Sequence, residues 1–204
     1  MYLEFLPEDT KNVLFLFGKE MFIKDFYLAG GTGLALQIGH RISGDLDFFA
    51  PKQFDENLLI QKLSALGKFQ LEKKSEQSVI GILNDVKISF LGYKYPLLSS
   101  FKIAENINIA DVSDVACMKI DAIAGRGTKR DFIDVYFIVS ALISLSETLK
   151  MFEKKYAKIN YNMIHVRKSL VYFDDAEEEP MPQMLKPVDW HKVKEFFQKE
   201  IKIL

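Results

Sequence analysis

The sequence predicts an α+β protein in which an α/β first half is followed by a mostly helical second half. Up to Pro96, apolar segments of strand length are separated by glycine, proline and Asn-Asp turns. After Pro96, the apolar residues take helical spacing, and Ser, Thr or Asp stands where four of the five predicted helices would begin. The 204 residues are 49% apolar and 27% charged, as in an ordinary globular protein. We therefore expect two domains, 1–96 and 97–204.

The α/β half is predicted to begin with a helix and to contain four or five strands. Pro7 suits the first helical position, and Asp55 suits the N-cap of a later helix. Gly39 suits a helix C-terminus, and Asn84-Asp85 is typical of a two-residue hairpin. The predicted elements are helices 7–18, 33–38 and 55–66, a turn at 30–32, and strands 26–29, 45–49, 69–73, 79–83 and 86–91.

The helical half is predicted from its capping residues. Thr128 and Ser146 suit helix N-caps, and the two glycines of segment 125–127 interrupt the preceding helix. The acidic run 174–179 is predicted to be an exposed loop. The predicted helices are 114–124 after Ser113, 128–140, 146–156, 162–173 and a last helix after Asp189.

Charge and composition disfavour several classes of protein and site. The net charge of −1 argues against a uniformly basic nucleic-acid binder. Cys117 is the single cysteine, so no disulfide forms within the chain and a cytoplasmic location is expected. No run of about 18 uncharged apolar residues occurs, so we expect neither a signal peptide nor a membrane span. His40, His165 and His191 lie far apart in the sequence, which disfavours a zinc site.

The first candidate site is the turn Gly30-Gly31-Thr32 between a predicted strand and a predicted helix. Glycines let backbone N–H groups approach a ligand closely, and a helix N-terminus favours phosphate. Thr32 adds a hydroxyl that can donate to a phosphate oxygen. A tight turn without a ligand is the simpler alternative for this motif taken alone. His40 and Arg41 follow, either as phosphate contacts or as a surface histidine and an ion-paired arginine.

The second candidate site is the pair Asp45 and Asp47. Residues two apart on a strand point to the same face, and two neighbouring carboxylates repel each other unless a cation lies between them. Carboxylate oxygens suit Mg²⁺, which takes one or two of them together with waters and substrate phosphates. The alternative is an ordinary exposed strand end, although the flanking Leu46 and Phe48 predict a buried segment.

The third candidate site lies within 118–138. Lys119, on an otherwise apolar helix face, is a candidate cation for triphosphate charge. Asp131 and Asp134 are three residues apart on the next predicted helix and share a face. Because Asp134 stands among apolar residues, it is either paired with a cation or functional. A structural network of arginine and aspartate that packs two helices is an equally good explanation. The basic residues near the helix-to-helix turn are Arg126, Lys129 and Arg130.

These motifs resemble a known family. The order Gly-Gly-Thr, then Asp-Leu-Asp on a strand, is similar to the DNA-polymerase-β-like nucleotidyltransferases. The fuller pattern GGTGLALQIGHRISGDLDFF, VKISFL and MKIDAIAGRGTKRDFID resembles the AbiEii/AbiGii toxin family of nucleotidyltransferases. The resemblance covers roughly 28–138, and the helical remainder fits it loosely.

The resemblance implies a mixed sheet core followed by a helical C-terminal region. It implies transfer of a nucleoside monophosphate from an NTP, with Mg²⁺ or Mn²⁺ as cofactor. It also implies a toxin with an antitoxin protein as partner, and an RNA acceptor such as tRNA. The residues that would act are Asp45, Asp47, Lys119 and Asp134 in catalysis, Asp45 and Asp47 at the metal, and Gly30, Gly31, Thr32, Arg41, Lys119 and Arg130 at the nucleotide. Arg130, Asp131 and Asp134 would form the last motif, with Asp134 as base or organiser.

Ser89 departs from the pattern of polymerase-β-like enzymes. These enzymes usually carry a third carboxylate on a later strand, and Ser89 stands at the corresponding position of the segment 86–91. The third carboxylate normally helps a second metal or accepts a proton. An inactive module that binds nucleotide or RNA and acts through a protein partner is therefore the alternative function.

Overall fold

The computed structural model describes residues 1–159 and 161–204, which form two compact units. The first unit comprises Met1–Pro96 with Ser100–Asp111, and the second comprises Leu97–Ser99 with Val112–Leu204. The predicted domains, 1–96 and 97–204, stay a prediction. The two units are described in turn below.

The first unit is built on a mixed seven-stranded sheet in the order β3-β4-β5-β2-β1-β7-β6. β2 pairs in parallel with β5, and β1 pairs in parallel with β7, whereas the other neighbours are antiparallel. The strands are β1 (Tyr27–Leu28), β2 (Leu46–Ala50), β3 (Phe69–Ser75), β4 (Ser78–Leu83), β5 (Val86–Gly92), β6 (Lys102–Ala104) and β7 (Ile107–Ile109). The helices are α1 (Glu8–Phe17), α2 (Gly30–Ile38) and α3 (Glu56–Leu66), with 3-10 turns at Leu3–Phe5 and Met21–Asp25.

The central strand β2 has two different faces. Leu46, Phe48 and Ala50 are buried in the core, where the ring of Phe48 stacks 5.0 Å from that of Phe90. Asp47 and Phe49 alternate with them and are only half-buried. The apolar core therefore holds one face of β2 in register and turns Asp47 to the other.

Most predicted elements of the first unit are confirmed, with two corrections. The Asp55 side chain caps α3 by accepting from the Leu58 N–H, and Asn84-Asp85 makes the β4–β5 hairpin with positive φ at both residues. However, α2 begins at Gly30, so the predicted turn 30–32 is its first turn. The hairpin of β6 and β7 was not predicted, because strands of three residues are too short to show an alternating pattern.

The second unit is helical. Its helices are α4 (Val112–Gly125), α5 (Lys129–Ala141), α6 (Leu145–Lys155), α7 (Met163–Ser169), α8 (Asp174–Glu177) and α9 (Trp190–Ile203). Its core includes Phe132, whose ring packs 5.6 Å from that of Phe197. The predicted caps Thr128 and Asp189 are confirmed, because their side chains accept from Asp131 and His191 N–H groups.

Other predictions in the second unit were wrong in detail. α6 is capped by Ser144 in a capping box with Glu147, not by Ser146. α4 begins before Ser113, which therefore lies in the first turn and does not cap it. The predicted helix 162–173 ends at Ser169, and the predicted acidic loop contains the short helix α8.

Across 1–159 and 161–204, no single helix is both long and apolar enough to cross a membrane. Within those same residues, the pair α5 and α6 has the length and composition of a membrane span, but the two helices are bent by 116°.

Candidate functional site

The carboxylates of Asp45 and Asp47 lie at the start of β2 in the first unit. Asp45 is exposed and directly precedes the strand, while Asp47 is its second residue and half-buried. The two-residue period of an extended chain places both on the face that the core does not cover. The strand is as long as predicted but begins one residue later, so Asp45 lies just before it.

The first turn of α2 packs against Asp47. Gly30 has a positive φ of +62°, and a Cβ placed on it would lie 2.6 Å from Asp47 Oδ2. Only glycine therefore fits here, both for its backbone conformation and for the space the carboxylate needs. The Ala29 N–H donates to the Asp47 carbonyl at 3.0 Å, so the turn and the strand are held together. The uncapped N-terminus of α2 adds a favourable field for negative charge.

Thr32 is buried and holds the chain that leads to Asp45. Its hydroxyl donates to the Asp45 carbonyl, and its oxygen lies 3.0 Å from Ser43 Oγ. With 1% of its surface exposed, Thr32 acts on Asp45 rather than presenting its hydroxyl to solvent. Its predicted contact with triphosphate stays a prediction.

Arg41 and His40 are both buried, so the interpretation of His40 as a surface histidine was wrong. A Cβ on Gly31 would overlap the Arg41 guanidinium, which shows how closely that cation covers the first turn of α2. Arg41 Nη1 also donates to the Ile42 carbonyl at 3.1 Å. The structure therefore brings the glycine turn together with the Arg41 guanidinium and the Asp47 carboxylate in the first unit, and Thr32 ties the turn to the backbone of Asp45.

Ser89 lies beside Asp47 on the neighbouring strand. The parallel register pairs Asp47 with Ser89, and Ser89 Oγ donates to Asp47 Oδ1 at 2.6 Å. Ser89, at the position where a third carboxylate would stand, is thus in direct contact with the carboxylate of Asp47.

The donor set fits one hard divalent cation. Two carboxylates that lie two residues apart, completed by waters and phosphate oxygens, are a set of ligands that Mg²⁺ accepts. Gly30 leaves Asp47 Oδ2 uncrowded, since any side chain there would fill that space. Among residues 1–159 and 161–204, no group of three or more His, Cys, Asp and Glu side chains is placed to hold a metal. Asp45 and Asp47 would therefore need substrate or water to complete the coordination.

The second unit contains a buried ion network built on Lys119 of α4. Its ammonium lies 2.8 Å from Asp131 Oδ1 and 2.6 Å from Asp134 Oδ2. The side chains of the two aspartates are 1% and 0% exposed, and that of Lys119 is 9% exposed. Arg126 Nε reaches Asp131 at 3.0 Å, and the Thr128 hydroxyl donates to it at 2.6 Å. The network joins α4 and α5. This is the arrangement predicted by the alternative in which these residues pack the two helices together.

Asp131 is ionised in this setting. Burial raises its pKa, but the ammonium of Lys119 and the hydrogen bond from Arg126 outweigh burial and hold the pKa below its ordinary value. Arg130, the other cation of the predicted motif, is exposed on α5.

Acid is expected to weaken this network. Because the folded pKa of Asp131 is depressed, its stabilising contribution is full above the unfolded pKa of about 3.9 and is lost as the pH falls below it. Urea denaturation of the wild type and Asp131→Asn should show a constant difference in unfolding free energy down to about pH 5. The difference should shrink below about pH 4. A difference that stays constant through that range would contradict the assignment.

A second buried pair was missed in the sequence. Lys155 Nζ lies 2.6 Å from Asp114 Oδ1, and both side chains are fully buried. Asp114 also accepts from the N–H groups of Leu98 and Ser99. A signal was present, since Lys155 follows Phe152 by three residues, the spacing of the buried helix face.

Cys117 is a buried thiol of α4. Burial raises its pKa to about 12, which keeps it protonated and unreactive.

The chain is similar to known proteins over most of its length. The family model described as "Nucleotidyl transferase AbiEii toxin, Type IV TA system" matches residues 14–103 and 93–201. An uncharacterized protein of Aquifex aeolicus (strain VF5) is 40% identical over 183 residues, which is 87% of each chain.

Two solved structures share the fold. MenT4, the nucleotidyltransferase toxin Rv2826c from Mycobacterium tuberculosis H37Rv, aligns with a TM-score of 0.62 at 14% identity, over 96% of this chain and 85% of that one. JHP933 from Helicobacter pylori aligns with a TM-score of 0.56 at 17% identity, over 97% of this chain and 92% of that one. At these identities the likeness is one of fold, and it confirms the expected α+β architecture.

Proposed function

Because the chain belongs to the AbiEii family of nucleotidyltransferase toxins, we propose that it transfers a nucleoside monophosphate from an NTP to an acceptor hydroxyl in the presence of Mg²⁺. The observation that supports the proposal is the Asp47 carboxylate beside the glycine-rich first turn of α2, with Asp45 two residues before it. The acceptor proposed is an RNA hydroxyl, such as that of a tRNA. An antitoxin protein is the expected partner in the cell.

In this reaction the acceptor oxygen bonds to the α-phosphorus, the hydroxyl proton passes to solvent water, and pyrophosphate leaves with the electrons of the broken P–O bond. When bound by Asp45 and Asp47, Mg²⁺ would neutralise phosphate charge and polarise the reacting phosphoryl group. The backbone of Gly30 and Gly31 allows close approach of the phosphates, with the N-terminus of α2 favouring their charge. Arg41, which lies against Gly31, is the cation of the first unit proposed to contact them.

The residues of the second unit take more limited roles in the proposal. The ammonium of Lys119 already contacts Asp131 and Asp134, so a phosphate would have to replace one of these carboxylates. Asp134 is fully buried and paired with this cation, which favours the role of organiser over that of base. Arg130 is exposed, so burial does not keep its side chain from a substrate. Its contact with the nucleotide is therefore kept as a proposal.

The proposal is tested by transfer from labelled nucleotide. The purified full chain is incubated with each α-³²P-labelled NTP, total RNA and Mg²⁺, with parallel reactions that contain EDTA or protein acceptors. We expect label in RNA with Mg²⁺ and none with EDTA. Metal-dependent NTP binding without transfer to any acceptor would overturn the proposal and support the second candidate, a binding module that acts through a partner. Ser89, in place of an acid, is the observation that favours this second candidate.

Thr32 offers a prediction that separates positioning from phosphate binding. Thr32→Val keeps the shape of the side chain and removes the hydroxyl that donates to the Asp45 carbonyl. We expect a loss of about 1–2 kcal/mol of unfolding free energy in chemical denaturation, because a partly buried carbonyl loses its donor. Thr32→Ser, which keeps the hydroxyl, should retain most of the wild-type unfolding free energy. Full stability with a large rise in the KM for NTP would instead assign the hydroxyl to phosphate.

A further inference from the structure

Ser89 fixes the orientation of the Asp47 carboxylate. Ser89 is buried, with 6% of its surface exposed, and its hydroxyl donates to Asp47 Oδ1 at 2.6 Å, a short bond typical of a charged acceptor. The carboxylate torsion of an aspartate is otherwise broad. Ser89 therefore holds the carboxylate through Oδ1, while Gly30 leaves Oδ2 uncrowded.

The register explains why a serine suits this position. Asp47 and Ser89 are directly paired on parallel strands, so an acid at 89 would place a second carboxylate against the first. Two such carboxylates repel each other unless a cation lies between them. Serine supplies a donor instead, and the charge of Asp45 and Asp47 alone matches one divalent cation.

We infer that Ser89 is a positioning residue that orients Asp47 so that Asp45 and Asp47 together take a single divalent cation. The inference rests on the proposed function for its consequence in catalysis, and its metal-binding content can be measured without any transfer. Hydrogen-bond partners of metal ligands typically change metal affinity by about 10–100-fold when removed. Ser89 is such a partner even though it does not itself need to touch the cation.

The test uses Mn²⁺ as the probe in calorimetric titration of the full chain. Wild type is expected to bind one Mn²⁺ per chain at this site. Ser89→Ala should weaken the affinity by about tenfold, and Ser89→Thr, which keeps the hydroxyl, should restore it. Ser78→Ala, the same change at a half-buried serine of β4, is the matched control and should leave Mn²⁺ affinity unchanged.

Ser89→Asp gives a second, independent measurement. Without metal, the added carboxylate beside Asp47 should lower the melting temperature. Mn²⁺ should then raise the melting temperature more than it does in wild type, because the cation relieves the repulsion, and the stoichiometry should rise above one.

Each outcome is decisive. Unchanged Mn²⁺ affinity in Ser89→Ala would overturn the positioning role, and two Mn²⁺ ions at Asp45 and Asp47 of wild type would overturn the single-cation site. Should Ser89→Ala not fold, an equal response of Ser89→Asp and wild type to Mn²⁺ would overturn it as well. If Mn²⁺ binds as expected but no labelled nucleotide is transferred, the proposed function fails and the role of Ser89 stands.

Discussion

Asp47→Asn is expected to lower the kcat of nucleotidyl transfer by about 1,000-fold, which corresponds to about 4 kcal/mol of transition-state stabilisation. Asparagine has the shape of aspartate, and its carbonyl oxygen can still accept from the Ser89 hydroxyl that lies 2.6 Å from Asp47 Oδ1. The substitution therefore removes the negative charge that would hold the cation while preserving the packing against Gly30. Transfer of label from α-³²P-NTP measures the effect, and circular dichroism checks the fold.

Asp85→Asn is the matched control for this substitution. Asp85 is exposed in the β4–β5 hairpin with a φ of +66°, a conformation that asparagine also tolerates. The same loss of charge in the same unit should leave transfer unchanged. Activity of Asp47→Asn within about twofold of Asp85→Asn would remove the carboxylate from the mechanism, because a lost metal ligand costs several kcal/mol.

Lys119→Met is expected to be the most destabilising of the substitutions considered, with a loss of about 3–5 kcal/mol of unfolding free energy. Methionine fills much of the volume but leaves Asp131 and Asp134 buried without their shared ammonium. An unpaired buried charge costs far more than the pair contributes. Urea denaturation at neutral pH measures the loss.

Arg126→Met provides the comparison, since Arg126 contacts the same Asp131 carboxylate from a side chain that is 66% exposed. Its removal should cost less than about 1 kcal/mol, as is usual for an exposed pair. Adding Asp134→Asn to Lys119→Met should recover part of the lost unfolding free energy, because it removes one of the two buried carboxylates that have lost the ammonium of Lys119. A stable Lys119→Met chain that has lost NTP affinity would show instead that Lys119 serves the phosphates.

The local parts of the site were predictable from the sequence. Gly30 and Gly31 open α2 shortly after a strand, and Asp47 alternates with the buried Leu46 and Phe48. These features depend on spacing along a single element, so the pattern of side chains is enough to place them. The predicted start of α2, at residue 33, lies only three residues from its observed start at Gly30.

The contacts between distant segments were not predictable in the same way. Ser89 meets Asp47 across 42 positions of the chain, and this contact requires the register of β2 and β5. Lys155 meets Asp114 across 41 positions, and that pair depends on how α4 and α6 pack. Hydrophobic periodicity identifies the buried face of each helix, but it does not show which charged group on another helix will face it.

The helix caps show a smaller limitation. Ser144 and Ser146 both precede an apolar helical run, and Ser146 was predicted as the N-cap. Ser144 is the N-cap in the structure because the side chain of Glu147, three residues later, accepts a hydrogen bond from the Ser144 N–H and completes the capping box. The choice between neighbouring candidates thus follows from a reciprocal pair of hydrogen bonds rather than from residue type.

The central claim, that Asp45 and Asp47 form the cation site of a nucleotidyltransferase, is tested most directly by a crystal structure of the full chain with Mn²⁺ and a non-hydrolysable NTP analogue. Anomalous diffraction locates Mn²⁺ without reference to activity. We predict one protein-bound Mn²⁺ peak ligated by both carboxylates, with triphosphate oxygens beside the first turn of α2. A nucleotide bound elsewhere, or Mn²⁺ that contacts neither Asp45 nor Asp47, would contradict the claim.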